Sequence, residues 1–245
     1  MELADPRFLA LAAIVTAAFA VEAATGFGAT VLAVTLGVHL YPIGDLLAVI
    51  VPLGLVLSCT NAWRLRRFAD RALLVRRILP LMGVGLAIGL AIFERASSDL
   101  LQRVYGVFVT GVAASELWRM RHAAPRRPLA PLASRGAILG AGVVHGVFSS
   151  GGPLLVWALG RTGLEKAAFR ATLATLWTVL GTALTVAYAW NGHVGARSLA
   201  ATGALVPLLG AALVAGDWAH HRLDESRFRL AVYALLVVAG LTNAL

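Results

Sequence analysis

Charge is scarce in this chain. Only 13% of its residues are Asp, Glu, Lys or Arg, 59% are hydrophobic and the mean hydropathy is +0.81, which lies far outside a soluble globular domain. A single cysteine, Cys59, excludes an internal disulfide and cysteine-rich metal sites. No HExxH, GxSxG or Walker sequence occurs, and no nucleophile and base stand at a recognisable spacing, which argues against an intramembrane enzyme. The expectation is no catalytic residue, no metal and no cofactor. Without an ATP-binding loop, any transport is secondary or depends on another chain.

What the chain does have is long apolar runs. Those at 45–63, 72–94, 100–119, 167–190, 198–217 and 227–244 are each long enough to cross a ~30 Å hydrocarbon core as a helix. Two further stretches, 8–40 and 135–160, are broken by TGFGAT at 25–30 and SSGGPL at 149–154. The first piece does not read as a signal peptide, because Glu2 and Asp5 stand against Arg7 where a basic start is required. It also has a counterpart later in the chain. Glu22 falls on His145, Gly28 on Gly151, Pro80 on Pro207, Gly83 on Gly210 and Tyr105 on Tyr233. The sequence therefore predicts one unit written twice, 1–124 and 125–245, joined by a basic linker containing Pro125, Pro128 and Pro131.

The basic residues set the orientation. If each broken stretch crosses once, they divide 13 to 8 between the two sides. If each goes in and returns, one side holds six in 64–77, five in 119–135, and Arg161, Lys166, Arg170, Arg222, Arg227 and Arg229; the division becomes 17 to 4. The second arrangement is preferred. It makes each half an odd number of crossings plus one in-and-out hairpin, so the halves are inverted. The expected fold is an all-α membrane protein of two inverted repeats, each a broken or re-entrant helical hairpin followed by about three transmembrane helices. The same asymmetry accounts for the net charge of +9 without nucleic acid, although Arg126 and Arg127 are placed to touch anionic lipid.

Glycine lets the chain reverse at each break, and the helix that follows presents free N–H groups and a partial positive dipole. An anion fits there. In the first half Thr25 and Thr30 supply hydroxyls around Gly26, Phe27 and Gly28; in the second, Ser149 or Ser150 can cap a helix that starts near Gly151, Gly152 and Pro153. The other reading of these glycines is a kink or a close helix contact. Glu22 and His145 occupy equivalent positions inside apolar segments, where ionisable groups are costly. They are candidates for proton coupling, or else hydrogen-bonded structural groups. Thr172, Thr175, Thr178, Thr182 and Thr185 share one helical face, so Thr175 and Thr178 are pathway candidates. Such hydroxyls also bond back to their own helix, and that reading is favoured. Arg170 either attracts an anion or anchors the helix at the cytoplasmic face. Trp157 and Trp177 either border a substrate or pack in the core. Gly85 with Gly89 and Gly142 with Gly146 have the GxxxG spacing of close helix approach.

Taken together, the broken segment opening each half, Leu79-Pro80-Leu81 with Gly83, its repeat in Val206-Pro207-Leu208 with Gly210, and the loop 222–228 resemble the TauE/SafE family of membrane transporters. The likeness covers nearly the whole chain. The usual glycine run of that family, GxGGG, stands here as GFGAT and SSGGP. The resemblance implies a multi-pass protein of the bacterial cytoplasmic membrane that carries small sulfur-containing anions such as sulfite, sulfoacetate or other sulfonates. It is compatible with a homo-oligomer. The alternative is a non-transporting assembly or accessory protein whose polar breaks bind a partner helix or lipid.

Overall fold

The computed structural model describes residues 5–25, 28–122, 129–159, 164–222 and 224–245, and among them all regular structure is helical. In chain order the helices are α1 (Pro6–Thr25), α2 (Ala29–Gly37), α3 (Ile43–Leu65), the single turn α4 (Arg71–Leu73), a π-helical turn (Leu74–Ile78), α5 (Leu79–Phe93), α6 (Ser98–Arg121), α7 (Pro131–Phe148), α8 (Gly152–Leu159), α9 (Lys166–Trp190), α10 (Ala196–Arg222) and α11 (Glu225–Ala244). Each broken stretch is thus divided into two helices that pack on each other, α1 with α2 and α7 with α8. Among the described residues, four helices are long and apolar enough to cross a membrane: Ile43–Leu65, Arg71–Phe93, Ala167–Trp190 and Ala196–Gly216. Helix α6 is long enough but carries Asp99, Arg103, Glu116, Arg119 and Arg121, and α11 contributes the shorter apolar stretch Leu230–Ala244. Trp63, Trp118 and Trp190 stand exposed near helix ends, where amphipathic rings suit a membrane interface.

Two compact units are present: Met1–Ile50, Ala96–Pro125 and Gly195–Leu245 form one, Val51–Arg95 and Arg126–Val194 the other. Neither coincides with a sequence half. In the first unit α1 packs on α10 and on α2, and α6 packs on α11. Glycine allows the last contact, because a methyl on Gly106 would meet the carbonyl of Gly240 and the amide of Ala244. Polar side chains tie the unit together: the Tyr105 hydroxyl donates to Val31 O at 3.3 Å, Asn243 Nδ2 to Thr35 O at 2.9 Å and Thr202 Oγ1 to Val49 O at 3.2 Å. In an apolar interior each such bond satisfies a carbonyl that a neighbouring helix side chain can reach.

In the second unit α5 packs on α7, and α7 on α8. Leu74, Ile78, Met82 and Leu86 present one i, i+4 row to Ile138 and Ala141 of α7, to Leu155 of α8 and to Leu176 of α9. The two GxxxG pairs meet here. A side chain on Gly85 would strike Leu139 O, one on Gly89 Val143 O, one on Gly142 Met82 O and one on Gly146 Leu86 O, so the backbones approach as closely as glycine permits. The π turn before α5 has a local cause. Pro80 has no N–H and its ring crowds the carbonyl four residues back, so the ladder widens and Leu79 N–H bonds to Leu74 O. Asp70 starts the segment, accepting Leu73 N–H at 2.9 Å, while its own N–H donates to Thr172 Oγ1 of α9 at 2.9 Å.

Candidate functional site: two helix breaks

The first break belongs to the first unit. Gly28 takes the left-handed conformation, φ 105°, as the N-cap of α2. A Cβ there would meet nothing within 4 Å, so the backbone dihedral, not space, requires glycine. From near the end of α1 the Glu22 carboxylate reaches across the gap and accepts Ala29 N–H at 2.8 Å. Helix α2 therefore begins on a carboxylate supplied by its own chain. Its ladder starts with Leu32 N–H to Gly28 O at 3.0 Å, which leaves the N–H groups of Thr30 and Val31 ahead of it. Gly26, Phe27 and the side chain of Thr25 lie outside the described residues.

The second break, in the second unit, is built differently. Ser149 is left-handed, φ 53°, and its N–H donates to His145 O at 2.7 Å, so it closes α7. Ser150 Oγ donates to Phe148 O at 2.9 Å. The Ser149 N–H and the Ser150 hydroxyl thus both bond to the end of α7. The first bond of α8 is Leu155 N–H to Gly151 O at 3.2 Å; the N–H groups of Gly152 and Leu154 precede that ladder, and Pro153 has none. Gly151 is pressed onto α7, where a Cβ would collide with Ala141 O and His145 Cβ. At Gly152 there is room, the nearest atom being Trp177 Cζ2 at 3.9 Å.

His145 is the outlier of this region. It is 5% exposed, its ring lies 5.0 Å from that of Trp177, and neither ring nitrogen has a hydrogen-bond partner among the described residues. A buried polar group without a partner is costly. The equivalent position in the first break, Glu22, is satisfied by backbone. The two breaks thus differ in chemistry: one sets its own carboxyl group on the helix start, and the other sets an imidazole beside a helix start with no carboxyl group bonded to that ring among the described residues.

Trp157 and Trp177 both pack against the apolar core of the second unit, and Trp177 also joins His145 and Gly152 in one place. The threonine face of α9 is used structurally. Thr175 donates to Ala171 O, Thr178 to Ala174 O, Thr182 to Thr178 O and Thr185 to Gly181 O, at 2.7–2.9 Å. Arg170 is exposed in the first turns of α9, as a cytoplasmic anchor would be. Two residues holding the first hairpin, Tyr105 and Asn243, escaped the sequence reading as site supports, although Tyr105 was visible through its match to Tyr233.

The sequence profile described as sulfite exporter TauE/SafE matches residues 10–242. A probable sulfite/organosulfonate exporter TauE of Cupriavidus necator is 28% identical over 243 residues, covering 95% of this chain and 91% of that protein. No solved structure matches. The profile runs through both hairpins and every long helix between them, and the chain belongs to the TauE/SafE sulfite exporter family.

Proposed function

We propose that the protein is a secondary carrier that moves small sulfur-containing anions, such as sulfite, sulfoacetate or other sulfonates, out across the bacterial cytoplasmic membrane, linked to the proton-motive force. The likeness to the probable sulfite/organosulfonate exporter of Cupriavidus necator supports the cargo class. The observation that carries the site is the buried, unpartnered His145 beside the start of α8. There the N–H groups of Gly152 and Leu154, the imidazole and the face of Trp177 form a half-site for an oxyanion. At the first break Glu22 holds the equivalent donor in the absence of cargo, and its protonation removes the competing charge, which couples proton uptake to anion binding at α2.

The inverted-repeat reading draws support from how the halves pair. Helix α1 of the first half packs on α10 of the second, and α7 of the second on α5 of the first. These contacts exchange when the halves are exchanged, as α5 and α10 are repeat equivalents. Helices α6 and α11, equivalent to each other, pack together. In this reading they complete six crossings, three per half, with both hairpins entering the membrane. Purified protein in proteoliposomes is expected to move labelled sulfite, with His145→Ala reducing the rate at least about tenfold. Absence of flux from the purified wild-type chain would favour an accessory role instead.

A further inference from the structure

Away from both breaks, the second unit holds a cleft of ≈ 700 Å³ between the π turn that leads into α5 and the start of α7. That volume is within the ~300–1,000 Å³ of small-ligand sites. Three guanidinium groups line it, those of Arg76, Arg77 and Arg135. Arg77 Nη2 donates to the buried Ser134 Oγ at 2.9 Å, which fixes its head. Arg76 and Arg135 make no hydrogen bond or ion pair among the described residues, and no carboxylate lines the cleft. Three like charges gathered without a counter-charge repel one another, and a bound anion relieves that.

The remaining walls indicate which anion. Pro80, Leu81, Leu129 and Pro131 are apolar, a poor setting for a small hydrated ion. Pro80 also begins an i, i+4 row on α5 that continues through Val84, Ile88 and Ile92, which are 56%, 46% and 45% exposed. A polar head among arginines and an apolar track leading from it along a membrane helix match the two ends of one lipid. All three arginines lie in the two most basic segments, 64–77 and 119–135, read as cytoplasmic from their charge.

We infer that this cleft is a binding site for an anionic phospholipid of the cytoplasmic leaflet. Its phosphodiester oxygens accept from Arg76, Arg77 and Arg135, and one acyl chain lies along Val84, Ile88 and Ile92. The test uses the purified full-length protein with vesicles of phosphatidylglycerol, vesicles of phosphatidylcholine, and millimolar inorganic phosphate or sulfite. Phosphatidylglycerol should be retained through purification and raise the unfolding temperature. The double variant Arg76→Gln with Arg135→Gln should lower retention at least about tenfold, while Arg103→Gln, outside the cleft, should not. Photo-crosslinkable phosphatidylglycerol on the wild-type protein should label peptides spanning 71–81 and 129–135, a readout independent of how the variants fold. Equal retention of phosphatidylcholine, or labelling only elsewhere, overturns the proposal. So does equal stabilisation by phosphate or sulfite that disappears in the double variant, which would make the cleft a port for soluble anions.

Discussion

Glu22 and His145, matched in the sequence reading, differ in their chemistry at the two breaks. The carboxylate satisfies the first N–H of α2, and the imidazole satisfies nothing among the described residues. Glu22→Gln keeps an acceptor for Ala29 N–H but removes the charge. It should therefore cost little stability, about 1 kcal/mol or less, while flattening the pH dependence of anion flux; a pH profile unchanged from wild type would remove Glu22 from coupling. The glycines of the second break separate by space. Gly151→Ala forces a methyl into Ala141 O and should cost about 1–3 kcal/mol, seen as a fall in unfolding temperature. Gly152→Ala meets only ordinary contact with Trp177 and should unfold near the wild-type temperature. Both residues were legible as candidates from the glycine run. Which of them is structural was not, because the distinction depends on a carbonyl of α7 ten residues earlier in the chain.

Among the elements, the helices were readable because hydropathy and the absence of water leave the backbone few alternatives. The expected stretch 72–94 appears as Arg71–Phe93, and 167–190 as Lys166–Trp190. What periodicity missed is the π turn, since its origin is a proline acting on a carbonyl and not a change in hydrophobic pattern. The GxxxG pairs were visible as close-contact signals, but nothing local stated that the two pairs contact each other. That contact gives a sharp expectation: Gly146→Val drives a branched side chain into Leu86 O and should separate α5 from α7. The loss should exceed the ~1–3 kcal/mol of ordinary overpacking, and thermal unfolding in detergent measures it. Four hydroxyls of the threonine face of α9 bond back to the preceding turn, the arrangement that the sequence favours.

For the molecule as a whole, the charge distribution makes a topological claim that the helices alone cannot. With both hairpins returning to the side they entered, alkaline phosphatase fused after residue 245 should be active outside, and fusions within 64–70 should be inactive. An inactive fusion after residue 245 would replace the hairpins by single crossings and end the inverted-repeat reading, whereas an active fusion within 64–70 would overturn the orientation that both readings share. The residue-by-residue matches suggested two halves, yet the compact units were not legible, because α1 packs on α10 and α5 on α7. That crossed pairing bears on how the chain is made. Helix α1 leaves the ribosome early, but its partner α10 is complete only at Arg222, so the first hairpin must wait in the bilayer or in the insertion machinery through most of synthesis. Long-range pairing of this kind is slow to form and leaves surfaces open to wrong partners. Neither half is equipped to mature alone.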